Sequence, residues 1–249
     1  MPTKMSIEEM RKHEWVVSWS GGKDSTATII LCHKYGIPIK KIIYVRMMWD
    51  EKLPATLPVM TKFVDHTKAV FESWGYPVEI VPSVKTAKSL TEKIYFRSKV
   101  HPEKNGKPYG VMAFGRGHCK FTGVKQATIK TLVSKDEYEL IGYAVDEDDR
   151  IHRLTDKKQS IMCTLEVTEA EAFKICREAD LLSPLYDMSI SRDGCWFCPN
   201  AGVRERVILK EQYPELIAKI RSMIELCGYD VSYFVPRNNW LQDYVKGTL

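Results

Sequence analysis

Short apolar runs and longer stretches with apolar residues every three or four positions alternate through the first 82 residues. Residues 5–13 read as a short polar helix. Residues 16–19 read as an apolar strand, and a tight glycine turn follows at Gly21 and Gly22. From Lys23 a helix begins; Ala27, Ile30 and Leu31 carry it to Tyr35, and Gly36 stops it with Pro38 beyond. Residues 41–48 are rich in β-branched side chains and predict a second strand. Met60, Phe63, Val64, Thr67, Val70, Phe71 and Trp74 recur at helical steps, which gives one apolar face ended by Gly75 and Pro77. Residues 78–81 are a third strand. Strand, helix, strand, helix, strand is the order of a parallel sheet with right-handed crossovers.

Residues 85–120 break this rhythm with Pro102, Gly106, Pro108, Gly110, Gly115 and Gly117. A long irregular segment inside a domain is usually functional, and a lid or substrate loop is expected here. A helical pattern returns at 123–133. Residues 138–145 predict a fourth strand, ending in Asp146-Glu147-Asp148-Asp149-Arg150. Thr168 and Glu171 form a capping-box signature, with Ala172, Phe173, Cys176 and Ala179 as the apolar face behind it. A loop at 181–187 leads to Gly194-Cys195-Trp196-Phe197-Cys198-Pro199. Two helices joined near Pro214 cover about 203–227, and Trp240 and Tyr244 are expected to tie down the tail. The expected division is an α/β nucleotide-binding domain over 1–160 and a helical C-terminal region over 161–249.

The composition narrows the class. Hydrophobic residues make up 44% of the 249, enough for a core, and no apolar run is long enough to span a bilayer. The first 14 residues lack an apolar signal core, so a cytoplasmic protein without a membrane partner is expected. Seven cysteines, an odd number, favour reduced thiols, metal ligands or redox chemistry over a disulfide framework. The net charge is +5, yet residues 85–120 alone carry nine Lys or Arg against Glu92 and Glu103. That segment suits an anionic partner, either nucleotide phosphates, sulfate or a nucleic-acid backbone, and equally suits a solvated loop.

The stretch Ser18-Trp19-Ser20-Gly21-Gly22-Lys23-Asp24-Ser25-Thr26 holds the sharpest chemistry. A strand feeding a helix N-terminus gathers free N–H groups at the positive end of the helix dipole. Two adjacent glycines let a phosphate approach the backbone. Lys23 adds a mobile cation, Ser20, Ser25 and Thr26 add hydroxyls, and Asp24 is placed to hold Mg²⁺. The stretch is neither a Walker loop, which needs Gly, four residues and then Gly-Lys-Ser/Thr, nor the Gly-x-Gly-x-x-Gly dinucleotide pattern.

Other strand ends add candidates, because ligands of parallel sheets bind where the strands terminate. Asp50, after the second strand, suits a ribose hydroxyl or an adenine amino group. Trp49 suits either base stacking or the core. Asp146 suits Mg²⁺, and Arg150 suits a phosphate or leaving group. The Cys195-x-x-Cys198 pair supports half of a zinc site, part of an iron–sulfur site or a redox dithiol. Cys119, in the most basic part of the chain, favours its thiolate; with Cys195 and Cys198 it makes three ligands, and Cys163 is a candidate fourth. Cys32 and Cys176 lie on apolar helix faces and read as core.

Ser20-Gly21-Gly22-Lys23-Asp24-Ser25 resembles the PP-loop of the ATP pyrophosphatase superfamily, whose members cut ATP between its α- and β-phosphates. With Cys119 and Lys125, residues 141–150, Leu182-Ser183-Pro184-Leu185-Tyr186 and residues 194–199, the chain is similar to the phosphoadenosine phosphosulfate (PAPS) reductase and sulfotransferase-like branch, which includes DNA-phosphorothioation relatives. The resemblance implies an adenine nucleotide alpha hydrolase-like fold: a Rossmann-like parallel sheet with helices on both faces and a smaller helical C-terminal part. It also implies ATP and Mg²⁺ as cofactors, an iron–sulfur cluster or zinc at the cysteines, and adenylation of an acceptor for sulfur transfer. Lys23, Cys119 and Arg150 are the implied catalytic residues. Cys119 stands alone where cluster-bearing relatives have paired cysteines, and the tail lacks the cysteine of assimilatory reductases. The intact glycine loop favours ATP over PAPS. Direct action on PAPS or adenylylsulfate, and nucleotide or nucleic-acid binding without turnover, are the alternatives. The acceptor, a sulfur-donor protein and a homodimeric state stay open.

Overall fold

The computed structural model describes residues 4–94, 97, 99–100, 102–108, 120–198 and 201–227. In chain order the first elements are α1 (Ile7–Met10), β1 (Trp15–Trp19), α2 (Lys23–Tyr35), β2 (Ile39–Arg46), α3 (Pro58–Ser73) and β3 (Val78–Pro82). Next come α4 (Ala87–Thr91), α5 (Lys120–Leu132), β4 (Tyr138–Leu140), α6 (Asp148–Ile151) and β5 (Lys158–Gln159). The chain continues through α7 (Ile161–Thr164), α8 (Glu169–Glu178), α9 (Val203–Gln212) and α10 (Pro214–Cys227).

The strands form one five-stranded sheet in the order β3-β2-β1-β4-β5, every pair parallel. The chain steps outward from β1 to β3 and then returns to the other side of β1 as β4. Strand order therefore reverses between β1 and β4, which opens a crevice at their carboxyl ends.

Alternate residues of β1 serve two cores, as strand geometry requires. Val17 and Trp19 face Ala27 and Ile29 of α2, Phe71 of α3 and Cys176 of α8. Val16 faces the other way, into a core with Phe121 of α5, Trp196, Phe197, Leu209 of α9 and Ile220 of α10. Cys32 and Cys176 are fully buried, as their helix faces foretold. The α/β class with helices on both faces is thus the one the hydrophobic pattern indicates. Among the described residues no helix is long and apolar enough to cross a membrane.

Three details depart from the pattern. β4 stops at Leu140 rather than near 145, because the chain must leave the sheet to bring Gly142 against α2. β5 carries only Lys158 and Gln159, which have no apolar alternation to announce a strand. Within 85–120 the described residues include α4 and a single 3₁₀ turn at Pro102–Lys104. Trp240 and Tyr244 lie outside the described residues.

Candidate nucleotide site and thiol pair

β1 hands the chain to α2 through Ser20, Gly21 and Gly22. Gly21 has φ +79°, the left-handed region that favours glycine, and a Cβ there would stand 3.3 Å from Met60 Cε. Gly22 caps α2 with extended backbone and no side-chain bond. Ser25 Oγ accepts from the Ser20 N–H at 3.0 Å and lies 3.2 Å from the Gly22 carbonyl, while Ser20 Oγ accepts from the Gly22 N–H at 3.3 Å. The two serines brace the turn from within. Among the described residues no acceptor occupies the N–H groups of Gly21, Asp24 or Ser25.

Gly142 is the residue the other strand end contributes. A Cβ on it would lie 2.6 Å from Ser25 N and 2.7 Å from the Asp24 carbonyl carbon. Only a bare backbone reaches α2 this closely. Sequence reasoning passed over Gly142 because a lone glycine in a presumed strand carries no distinctive signal.

Lys23 Nζ lies 2.7 Å from Asp24 Oδ1 and 3.5 Å from Glu169 Oε1, with its side chain 15% exposed. Burial pulls its pKa down, but the Asp24 bond and the Glu169 charge outweigh burial and leave it raised. Burial pushes the Asp24 carboxyl above the usual carboxylate range; Lys23 opposes this, and Glu147 and Glu169 add to it. One ammonium thus faces more than one acid. Glu147 accepts from Arg150 Nη1 at 2.7 Å and from the Ala144 N–H at 3.1 Å. Arg150 lies 5.3 Å from the centre of the Tyr143 ring and within charge range of Asp24.

Several expected ligands have other partners. Thr26 is fully buried and its hydroxyl accepts from Trp19 Nε1 at 3.0 Å, so it belongs to the frame of the loop rather than its mouth. Ser18 Oγ donates to Glu139 Oε1 at 3.1 Å, toward β4. Asp50 Oδ1 accepts from the N–H groups of Lys52 and Leu53 and closes its own turn, which holds its carboxyl below the ordinary range despite some burial. Asp146 accepts from the Glu169 N–H at 3.0 Å and caps α8, so Glu147 is the acid of that run nearest the loop in charge terms. Trp49 packs between Trp196 and Phe197 in the core. Glu169 escaped notice because its neighbours Thr168 and Glu171 read only as a helix start.

Cys195 and Cys198 share one turn, in which the Cys198 N–H bonds the Cys195 carbonyl at 2.8 Å. That turn is pinned by Trp196, whose N–H bonds the Ala55 carbonyl and whose Nε1 donates to the Pro54 carbonyl at 3.0 Å. Phe121 stacks toward Phe197 at 5.8 Å and so brings the start of α5 beside the turn. Cys119 itself lies outside the described residues. A small, partly open cleft lies at Cys195, lined also by Leu57, Ile190, Asp193, Trp196 and Leu209. Burial pushes Asp193 up to about 7 against the pull of Lys125, whose own pKa burial lowers. The Tyr44 ring lies 3.6 Å from the Cβ position of Gly21, and its phenol feels the charges of Asp193 and Cys195. The glycine loop and the thiol turn therefore share one end of the sheet. Cys163 lies elsewhere, its thiol 3.4 Å from the Tyr143 carbonyl.

Among the described residues no three His, Cys, Asp or Glu side chains converge as a complete metal site. Two thiolates on one turn are half of a zinc or iron–sulfur ligand set. Asp24 and Glu147 supply one or two carboxylates, as Mg²⁺ bound mainly through phosphate oxygens requires.

No protein-family model and no curated protein matches this chain. Among solved structures, the chain is similar to the U34-tRNA thiolase NcsA from Methanococcus maripaludis, determined with its 4Fe–4S cluster. The two are 15% identical, with a TM-score of 0.42, over 88% of this chain and 73% of that one.

Proposed function

We propose that this chain is a PP-loop enzyme of the PAPS reductase-like type that binds ATP and cleaves it between the α- and β-phosphates, adenylating an acceptor for sulfur transfer. The observation that carries this reading is the loop itself: a glycine turn whose Gly21 N–H, with those of Asp24 and Ser25, meets no acceptor among the described residues, at the N-terminus of α2, on the point of strand reversal. The phosphates rest on the Gly21, Asp24 and Ser25 N–H groups, and the Lys23 ammonium turns from its acids toward them. Asp24 and Glu147 would hold Mg²⁺, which supplies charge neutralisation on the phosphates. An acceptor oxygen attacks the α-phosphorus, the bond to the bridging oxygen breaks, and pyrophosphate leaves; Arg150 is near enough in charge range to steady it. The outer sulfur of a persulfide on Cys119, or on one of Cys195 and Cys198, then attacks the adenylated centre and AMP leaves; a second thiol attacks the carrier sulfur, releases the thiolated product and forms a disulfide that an external thiol reduces. The loop contributes position and fixed charge rather than covalent chemistry.

A nucleic-acid acceptor fits the charge at this end of the sheet. The N–H groups of Ala87 and Lys88 bond the carbonyls of Met48 and Trp49, which sets the start of the basic segment beside β2, and Lys88 and Lys219 act on Asp50. The second reading, reduction of PAPS or adenylylsulfate, is favoured by the exposure of the Cys195 turn to a cleft. Incubation with ATP and separately with PAPS separates them. Pyrophosphate from ATP without sulfite from PAPS supports ATP cleavage; sulfite from PAPS without pyrophosphate from ATP replaces it. Salt-sensitive nucleic-acid binding with neither product indicates a binding module.

A further inference from the structure

We propose, resting on the ATP reading above, that Tyr186 is a ligand of the nucleotide's terminal phosphates, its phenol donating to a β- or γ-phosphate oxygen at the mouth of the glycine loop. The turn that carries Tyr186 is fastened to that loop at two independent points. Cys176 of α8 donates from Sγ to the Lys23 carbonyl at 3.1 Å, and the Leu181 N–H bonds the Cys176 carbonyl, so the turn leaves α8 beside Lys23. Ser183 Oγ donates to Met60 Sδ at 3.2 Å, and Met60 is the side chain beneath Gly21. The Tyr186 N–H closes the turn on the Ser183 carbonyl at 3.2 Å.

The ring is held as well as the backbone. It stands edge-on to Phe173 of α8, 5.3 Å between centroids and 80° between planes, and the Arg177 guanidinium lies 4.8 Å from the Phe173 centroid. This places the phenol near the Lys23 backbone N–H, with the Lys23 ammonium, Asp24 and the Cys176 thiol as its charged and titratable neighbours. A phenol accepts and donates at once. Here it faces a helix N–H on its accepting side, which leaves its own proton for an incoming anion. A phenol, with an ordinary pKa of about 10, holds that proton at neutral pH. A carboxylate at this position would repel phosphate, and phenylalanine would offer it nothing.

Tyr186→Phe removes one oxygen and keeps the ring against Phe173. Calorimetric titration of wild type and variant with ATP and with AMP tests the assignment. The expected result is an ATP Kd raised about tenfold or more, the scale of a hydrogen bond to a charged group, with AMP affinity unchanged. Equal ATP affinity in the two proteins would overturn the assignment. So would equal losses for ATP and AMP, the mark of a packing role. A wild type that binds neither nucleotide would instead overturn the ATP reading and remove the basis of the assignment.

Discussion

The glycine loop is written in six consecutive residues, whereas the thiol turn exists only where distant segments meet. Ser20 and Ser25 brace the loop by bonds that span five positions, and even its outside partner Gly142 contributes no side chain. The turn of Cys195 and Cys198 hangs on Ala55 and Pro54, about 140 residues upstream, and on Phe121 of α5. The first kind of site is a backbone device: it needs particular torsions and bare approach. The second is a packing device: it stands or falls with an aromatic core. Damage to one should leave the other measurable.

The largest effect is expected from Lys23→Ala. Loss of the Lys23 ammonium beside the loop should lower pyrophosphate release from ATP by roughly 10²–10³-fold, the scale for removing a fixed charge donor. Near-wild-type pyrophosphate release in this variant would show that the loop does not carry the chemistry. The fold should be unaffected, since Lys23 lies at the edge of the core.

Trp196→Ala strikes the other device. Trp196 is buried, packs on Trp49 at 5.0 Å and donates to Pro54. Its loss should cost about 3–5 kcal/mol, the usual range for large aromatic truncations, read as a lower denaturant midpoint. At temperatures where the variant remains folded, ATP affinity should match wild type. Parallel loss of ATP binding would erase the distinction between the two devices.

Gly142→Ala is a smaller change with a sharper address. The added methyl would overlap Ser25 N at 2.6 Å, and because the obstacle is backbone it cannot swing aside. A stability loss of about 1–3 kcal/mol is expected, with ATP affinity falling in step because α2 is displaced. Unchanged melting and unchanged affinity would mean that the chain after β4 does not set the loop.

Glu169→Gln should do least. Its pairing with Lys23 spans 3.5 Å and Glu169 is half exposed, so the contact is worth about 1 kcal/mol or less. Removing a negative charge beside the phosphates should tighten ATP binding by less than about fivefold. Weaker binding would show that Glu169 assists the ligand rather than competing with it for Lys23.

The contrast also explains what was legible in the sequence. Short apolar and β-branched runs marked β1 to β3, helical-period patterns marked α2 and α3, and a glycine pair after an apolar run marked the turn. The placement of Lys23 and Asp24 at the start of α2 followed from position alone. Ser18, Thr26 and Asp50 were placed by sequence near the loop or a strand end, but their partners, Glu139, Trp19 and the 52–53 backbone, are set by strand register and turn closure. Glu147 and Glu169 were hidden for the opposite reason. One sits in an acidic run whose members look alike, the other inside a capping box that has a sufficient local explanation. Tyr186 lay in a segment that supported the family resemblance, but no role at the loop could be read for it, since its relation to Lys23 depends on α8 packing against α2.

The most direct measurement of the central claim follows the amide resonances of Gly21, Asp24 and Ser25 in ¹⁵N-labelled protein as ATP, and separately adenosine, is added. If the terminal phosphates rest on this backbone, those three amides should shift first and furthest with ATP and stay nearly still with adenosine. Equal movement with adenosine, or ATP shifts centred elsewhere while these amides remain unmoved, would contradict it.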